Sequence, residues 1–142
     1  MSGSAGHLLV RAGGRLVGLP LDRVVEVLDP GTAFPVPSLE PAVRGVAVVR
    51  GRILPLVHLG ALLEDVGCPA ERSETAVLVE LGGRRVCLEV EAAESVLYGA
   101  GLPVPSGAAL PWAAAVARTE GGLVPLLDLT ALGARMTEAT AA

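Results

Sequence analysis

Short apolar runs alternate with polar, glycine- or proline-containing breaks along the whole chain. Many of the runs are rich in valine and leucine and alternate apolar with polar positions, which is typical of half-buried strands. Strands are predicted at 7–12, 16–21, 24–28, 45–59 (as a hairpin), 74–81, 84–90, 95–97, 113–118 and 123–129. Short helical turns are predicted at 60–66 and 130–136. The pattern therefore predicts an all-β chain with little helix.

The hairpin at 45–59 has the sequence GVAVVRGRILPLVHL. Arg50-Gly51-Arg52 separates two apolar runs, and a short break containing glycine between two such runs is typical of a β-hairpin. Pro55 has no backbone N–H to donate, so we expect it at a sheet edge or at a β-bulge.

Three blocks of the chain recur in order at a nearly constant distance. GRILPLVHLGAL at 51–62 returns as GGLVPLLDLTAL at 121–132, with six of twelve positions identical and an offset of 70 residues. GRLVGLPLDRVVEVL at 14–28 returns as GRRVCLEVEAAESVL at 83–97, with an offset of 69 residues. The motif Pro-Val-Pro also occurs twice, at 35–37 and 103–105. The chain is therefore interpreted as one small module present twice.

The repeat and the strand spacing together predict the architecture. Short strands every 8–12 residues or so with glycine and proline between them indicate small antiparallel barrels. The chain is predicted to be a single domain over 1–142 with two five-stranded barrels. We expect one barrel at about 6–66 and the other at about 74–135.

Composition excludes several classes of function. The 142 residues carry a net charge of −4, contain no lysine and include only three aromatic side chains, whereas nucleic-acid binding needs a basic, aromatic surface. No apolar stretch reaches the roughly 18 residues of a membrane span. The first residues, MSGSAGH, lack the features of a secretory signal, so a cytoplasmic location is expected.

Catalytic and metal-binding patterns are also missing from the sequence. Its two histidines, His7 and His58, and its two cysteines, Cys68 and Cys87, form no ligand cluster, and no phosphate-binding loop is present. Cys87 takes the position of a glycine in the first copy of the repeat, which favours a packing role. We expect no catalytic residue, no metal site and no cofactor.

Four blocks of the sequence resemble the CheW-like adaptor domain of bacterial chemotaxis. They are VVEV at 24–27, PVP at 35–37, the hairpin at 45–59 and LLDL at 126–129. The resemblance implies two SH3-like five-stranded barrels and a non-catalytic scaffold. Such adaptors connect a methyl-accepting chemoreceptor tip to the regulatory domain of a CheA-type histidine kinase, and other CheW-like domains are further candidate partners. Nucleic-acid binding and membrane insertion are not expected.

The resemblance also implies roles for individual residues. Glu26 and Arg50 match two family residues that form an ion pair beside the receptor groove, and Val24 and Leu28 share the strand face of Glu26. These four residues are predicted to bind the receptor, although Val24 and Leu28 have the alternative of being plain core.

A second set of residues is predicted to bind the kinase. Gly45 matches the family glycine near the kinase contact, whereas Phe34 and Arg44 match that edge by position only.

The sequence departs from the family at two places. His58 stands where the family has aspartate, although the second copy of the repeat keeps Asp128, and Glu91 begins an altered bend in the second copy. One alternative is therefore a divergent paralogue that binds only the receptor or only the kinase. Another alternative is a sensor that binds a small molecule or a metal in a barrel mouth.

Overall fold

A computed structural model describes residues 6–99, 101–108 and 110–141 of the chain. The strands are β1 (Gly6–Ala12), β2 (Arg15–Pro20), β3 (Val24–Leu28), β4 (Val43–Val49), β5 (Arg52–His58), β6 (Thr75–Leu81), β7 (Arg84–Val90), β8 (Ala92–Tyr98), β9 (Ala113–Thr119) and β10 (Gly122–Leu127). The helices are α1 (Leu59–Glu64) and α2 (Leu129–Ala141), and a single 3-10 turn spans Leu21–Arg23. Residues 1–5, which entered the prediction that no secretory signal is present, lie outside the described part.

The strands form two five-stranded sheets, and each sheet draws on both copies of the repeat. The first sheet has the order β8-β1-β2-β10-β9, and the second has the order β3-β6-β7-β5-β4. The two copies therefore exchange their opening hairpins, β1–β2 and β6–β7. The expectation of one barrel at 6–66 and another at 74–135 is wrong, because the exchanged hairpins pair across the middle of the chain.

The two pairings that carry the exchange are equivalent by the repeat. β2 runs parallel to β10 with Gly18 opposite Leu126, and β5 runs parallel to β7 with Leu56 opposite Cys87. These pairs match each other at the offsets of 69 and 70 residues found in the sequence. The repeat is therefore reproduced in the strand register.

Gly18 is required by the close approach of β2 to β10. A Cβ atom at this position would lie 2.7 Å from a Cδ of Leu126, which is closer than packed carbons come. At the equivalent position of the second sheet, Cys87 is fully buried. The predicted packing role of this cysteine is confirmed.

Pro55 lies in the interior of a sheet, so its predicted place at an edge or bulge is wrong. β5 is flanked by β4 and β7, and Pro55 pairs with Val46 of β4. Val46 directs its backbone N–H and C=O to Phe34 on the other side, with N···O distances of 2.9 and 2.8 Å. The Val46–Pro55 pair is therefore a non-hydrogen-bonded one. The pairing of β5 with β7 begins only at Leu56, so Pro55 is not required to donate to that ladder.

β8 is longer than predicted because Glu91 extends its pairing with β1. The Glu91 N–H donates to the Arg11 carbonyl oxygen at 2.8 Å, and the Glu91 carboxylate accepts from the Gly14 N–H at 2.8 Å. Arg11 and Glu94 add an exposed ion pair at 2.9 Å. Residues 92–94, which were predicted to belong to a bend, are therefore strand.

One buried cluster joins the two sheets. It contains side chains from the first sheet, such as Leu19 and Leu127, together with Val77 and Leu88 of the second sheet and Leu62 of α1. A smaller cluster lies within the second sheet. The main core is therefore shared between the two sheets.

Candidate partner-binding surfaces

A bidentate ion pair connects β3 to the turn between β4 and β5. Arg50 donates from Nε to Oε2 of Glu26 at 2.8 Å and from Nη2 to Oε1 at 2.6 Å. Arg50 and Gly51 have φ values of 52° and 78°, which form the tight two-residue turn that strand twist favours. The ion pair predicted between Glu26 and Arg50 is present.

The ion pair lies at the surface and stays charged. The Arg50 side chain is 72% exposed and that of Glu26 is 28% exposed. The hydrogen bonds from Arg50 hold the pKa of Glu26 below its ordinary value, and Glu26 in turn raises the pKa of Arg50. Exposed pairs contribute little to folding stability but orient a partner. The pair therefore holds two exposed charges in a fixed arrangement between the middle of β3 and the β4–β5 turn.

The two faces of β3 have different environments. Val24 packs against the shared core and Leu28 against the smaller cluster, so both of these predicted receptor contacts are half-buried. Val25 and Val27, on the opposite face, are exposed. The alternation along the strand is as predicted, and the exposed apolar side chains of β3 are Val25 and Val27.

β8 repeats this exposed face in the other half of the chain. By the offset of 69 residues, Val96 of β8 corresponds to Val27 of β3, and both are 44% exposed. Tyr98, at the end of β8, is 73% exposed. β3 and β8 each lie at one edge of their sheet, and β8 contacts β6, the neighbour of β3. We call Val25, Val27, Val96 and Tyr98 the edge-strand surface.

Phe34 and Gly45 meet at the outer side of β4. The backbone of Phe34 pairs with Val46, and its side chain is 50% exposed. Gly45 is buried beneath this segment with φ 150°, and a Cβ here would overlap the Phe34 carbonyl oxygen. Phe34 is therefore available to a partner, whereas Gly45 acts by letting residues 34–35 lie against β4.

An apolar strip continues from Phe34 over the β4–β5 hairpin. Val48 and Ile53 face each other across the two strands and are 53% and 70% exposed. We call Phe34, Val48 and Ile53 the hairpin strip. The strip was not among the predicted site residues apart from Phe34, although the alternation within 45–59 contained the signal.

The Arg44 side chain is occupied inside the protein. Its guanidinium donates to both carboxylate oxygens of Glu89, at 2.6 and 3.0 Å, and to the carbonyl oxygens of Pro69 and Glu71. Glu89 is 1% exposed and also accepts from the Ser73 N–H at 2.8 Å. Arg44 therefore links β4 to β7 and to the 69–73 connector. Its side chain is only 12% exposed, so little of its charge is accessible to a partner.

His58 is the last residue of β5 and caps helix α1, which begins at the next residue. Its Nδ1 accepts a hydrogen bond from the Ala61 N–H at 3.0 Å, so the ring is neutral in this arrangement. Burial lowers the pKa of His58, an effect that nearby Glu89 and Glu91 oppose. In the second copy, Asp128 accepts from the Ala131 N–H at the same distance. The histidine thus replaces the aspartate cap without loss of the hydrogen bond.

The described residues contain no group of three or more histidine, cysteine or carboxylate side chains placed to hold a metal ion. Burial raises the pKa of the Cys87 thiol to about 11 and also raises that of Cys68. Both thiols are therefore protonated at neutral pH and are poor nucleophiles.

Comparison with known proteins shows which family the chain belongs to. The sequence model of the CheW-like domain matches residues 6–136. The chain belongs to the CheW-like domain family. CheW-like domains are non-catalytic scaffolding adaptors, so membership confirms the prediction that the chain is not an enzyme.

Two individual proteins give the extent of the likeness. The protein PilI of Pseudomonas aeruginosa is 36% identical over 70 residues, a stretch that covers 49% of this chain and 39% of PilI. The crystal structure of the scaffolding protein TtCheW from Thermoanaerobacter tengcongensis superimposes with a TM-score of 0.78 at 20% identity. That alignment covers 91% of this chain and 92% of TtCheW. The two SH3-like barrels predicted from the sequence are thereby confirmed as the CheW-like fold.

Within the described part of the CheW-like chain, neither α1 nor α2 combines the length and the apolar character that crossing a membrane demands.

Proposed function

We propose that this CheW-like chain is a cytoplasmic scaffold that couples a methyl-accepting chemoreceptor to a CheA-type histidine kinase, in chemotaxis or in a chemotaxis-like pathway. It binds the receptor tip on one surface and the regulatory domain of the kinase on another. The family membership supports a scaffold, and the two separate exposed apolar surfaces support two partners.

The observation that carries the proposal is the surface pair of Glu26 and Arg50 on β3, the strand that also exposes Val25 and Val27. Val25 and Val27 supply apolar area that a helical receptor tip can bury, while the ion pair at the rim fixes its orientation. Val24 and Leu28 support this surface from below. The receptor therefore binds the edge-strand surface.

The kinase regulatory domain binds the hairpin strip. Phe34 is the aromatic anchor of the strip, and aromatic anchors contribute disproportionately to binding energy. Gly45 keeps the Phe34 segment in place, and Arg44 links β4 to Glu89 of β7 and to the 69–73 connector. These two residues of the predicted kinase set are positioning residues.

Two binding titrations on matched variants test the proposal. One uses the receptor tip and the other uses the kinase regulatory domain, and both proteins are taken from the genome that encodes this chain. Val27→Asp is expected to weaken receptor binding at least about tenfold and to leave kinase binding intact, whereas Ile53→Asp has the reverse effect. Val66→Asp, at an exposed valine outside both surfaces, leaves both affinities unchanged.

The absence of binding to either partner by the unmodified chain contradicts the scaffold role. Binding of the kinase domain alone, at the hairpin strip, favours the alternative of a paralogue with one partner.

A further inference from the structure

A cavity of about 180 Å³ opens between α2, the β6–β7 turn, β4 and residues 36–38. Its walls are mainly apolar and include Val36, Val43, Val46, Leu81, Val86 and Met136. The exposed Arg84 is the one cationic side chain among its lining residues, and within the described residues Arg84 makes no ion pair. The neighbouring Arg85, in contrast, lies 3.6 Å from Glu80.

The place related to Arg84 by the repeat shows what such an arginine covers. Arg15 corresponds to Arg84 by the repeat, and its guanidinium carbon lies 5.5 Å from the centre of the Trp112 ring, within the range of a cation–π contact. Trp112 is 6% exposed and packs in the shared core. Beneath Arg15, therefore, lies the aromatic ring of Trp112.

Backbone hydrogen bonds identify the residue that replaces this tryptophan. The Trp112 carbonyl oxygen accepts from the Asp128 N–H at 2.8 Å, and the Ala42 carbonyl oxygen accepts from the His58 N–H at 2.8 Å. Since His58 and Asp128 are equivalent, Ala42 is the repeat partner of Trp112. The place around Arg84 thus has the arginine and an apolar cavity, but it has Ala42 where the equivalent place has Trp112.

We propose that this cavity receives one aromatic side chain from a protein partner, with the Arg84 guanidinium over the ring. An apolar cavity of about 150 Å³ is large enough to bind benzene, so 180 Å³ accommodates a single aromatic ring. Val46, which lines the cavity, pairs with Phe34 of the hairpin strip, so cavity and strip form a continuous surface. The choice of a protein as the source of the ring rests on the proposed scaffold function.

N-acetyl-tryptophanamide is the probe, since it presents an indole ring with backbone on both sides. A titration followed by amide chemical shifts is expected to give saturable changes at Val46, Leu81 and Val86. Arg84→Gln weakens binding about three- to tenfold through loss of the cation–π contact, whereas Arg85→Gln leaves it unchanged. Val46→Phe fills the cavity and abolishes the shifts. No saturable change, or equal affinity in the Arg84 and Arg85 variants, overturns the proposal.

Two further probes separate the possible sources of the ring. N-acetyl-leucinamide is expected to bind several-fold more weakly than the tryptophan probe, and equal affinity contradicts a site specific for aromatic rings. Free indole is expected to bind comparably to N-acetyl-tryptophanamide. Binding of indole alone means that the cavity admits only small molecules, which overturns the docking role. These titrations need neither receptor nor kinase, so their outcome is independent of the scaffold assignment.

Discussion

His58 and Asp128 occupy equivalent positions in the two halves, and each accepts a backbone hydrogen bond of 3.0 Å that caps the following helix. The imidazole does this only while Nδ1 is unprotonated, since a protonated Nδ1 donates and cannot accept. The replacement of aspartate by histidine therefore makes one of the two caps sensitive to pH.

The pH dependence of stability follows from the lowered pKa of His58. Because the unfolded chain binds the proton more readily, the contribution is fully present above about pH 6.5 and is lost as the pH falls below that value. His58→Asn keeps the cap without titrating and is expected to abolish this loss in urea unfolding between pH 8 and 5.5. His58→Ala costs about 1 kcal/mol at pH 8. Asp128→Asn is the matched control and retains the wild-type pH dependence; an unchanged pH dependence in His58→Asn contradicts the assignment.

Arg44 and Glu89 form the buried ion pair of the second sheet, with side chains 12% and 1% exposed. Arg44→Met leaves the Glu89 carboxylate buried without its partner and is expected to cost about 3–5 kcal/mol of unfolding free energy. The double variant Arg44→Met/Glu89→Gln recovers part of the loss, since it removes the charge but keeps an acceptor for Ser73. Arg11→Met, at the exposed pair with Glu94, changes the denaturation midpoint little. Equal effects at the two pairs are the result that this assignment excludes.

Gly45 has no room for a side chain, since a Cβ would lie 2.8 Å from the carbonyl carbon of Phe34. Gly45→Ala is expected to displace the Phe34 segment and to cost about 1–3 kcal/mol in chemical denaturation. Gly67→Ala is the control, because nothing lies within 4 Å of its Cβ position. If Gly45→Ala unfolds at the wild-type denaturant concentration, the segment does not lie against β4 as described.

Leu56 and Ile53 test which face of β5 is internal. Leu56 is fully buried and Ile53 is 70% exposed on the same strand. Leu56→Asp buries an unpaired charge or a protonated acid and is expected to unfold the domain, because the cost of several kcal/mol approaches the whole stability of a domain this size. Ile53→Asp keeps the wild-type circular dichroism spectrum and melting temperature within a few degrees. A folded Leu56→Asp protein shows that the strand faces are reversed.

Local features of this fold could be predicted because they recur in the chain. The match of 51–62 with 121–132 predicted two equivalent halves, and the register of Gly18 with Leu126 and of Cys87 with Leu56 bears this out. The alternation along β3 predicted its two faces. The Glu26–Arg50 pair followed from the family resemblance, although 24 residues separate its members.

Features that depend on long-range packing had no signal in the sequence. The exchange of hairpins between the two copies of the repeat changes no local sequence pattern. The pattern of strands expected from the sequence is therefore the same for contiguous barrels and for exchanged barrels. Arg44 and Glu89 are 45 residues apart, and only the folded chain shows that Arg44 turns inward. The exposed role of Val25 and Val27 depends likewise on where the shared core lies.

Receptor-dependent autophosphorylation of the kinase is the most direct test of the central claim, which is that this domain couples the two proteins through the surface fixed by Glu26 and Arg50. With receptor, kinase and wild-type chain together, kinase activity is expected to respond to receptor ligand. Arg50→Glu abolishes the response, the charge-exchanged Glu26→Arg/Arg50→Glu variant restores much of it, and Arg52→Glu, at the first residue of β5, retains it. A response that persists in Arg50→Glu, or that no variant supports, contradicts the coupling role assigned to this surface.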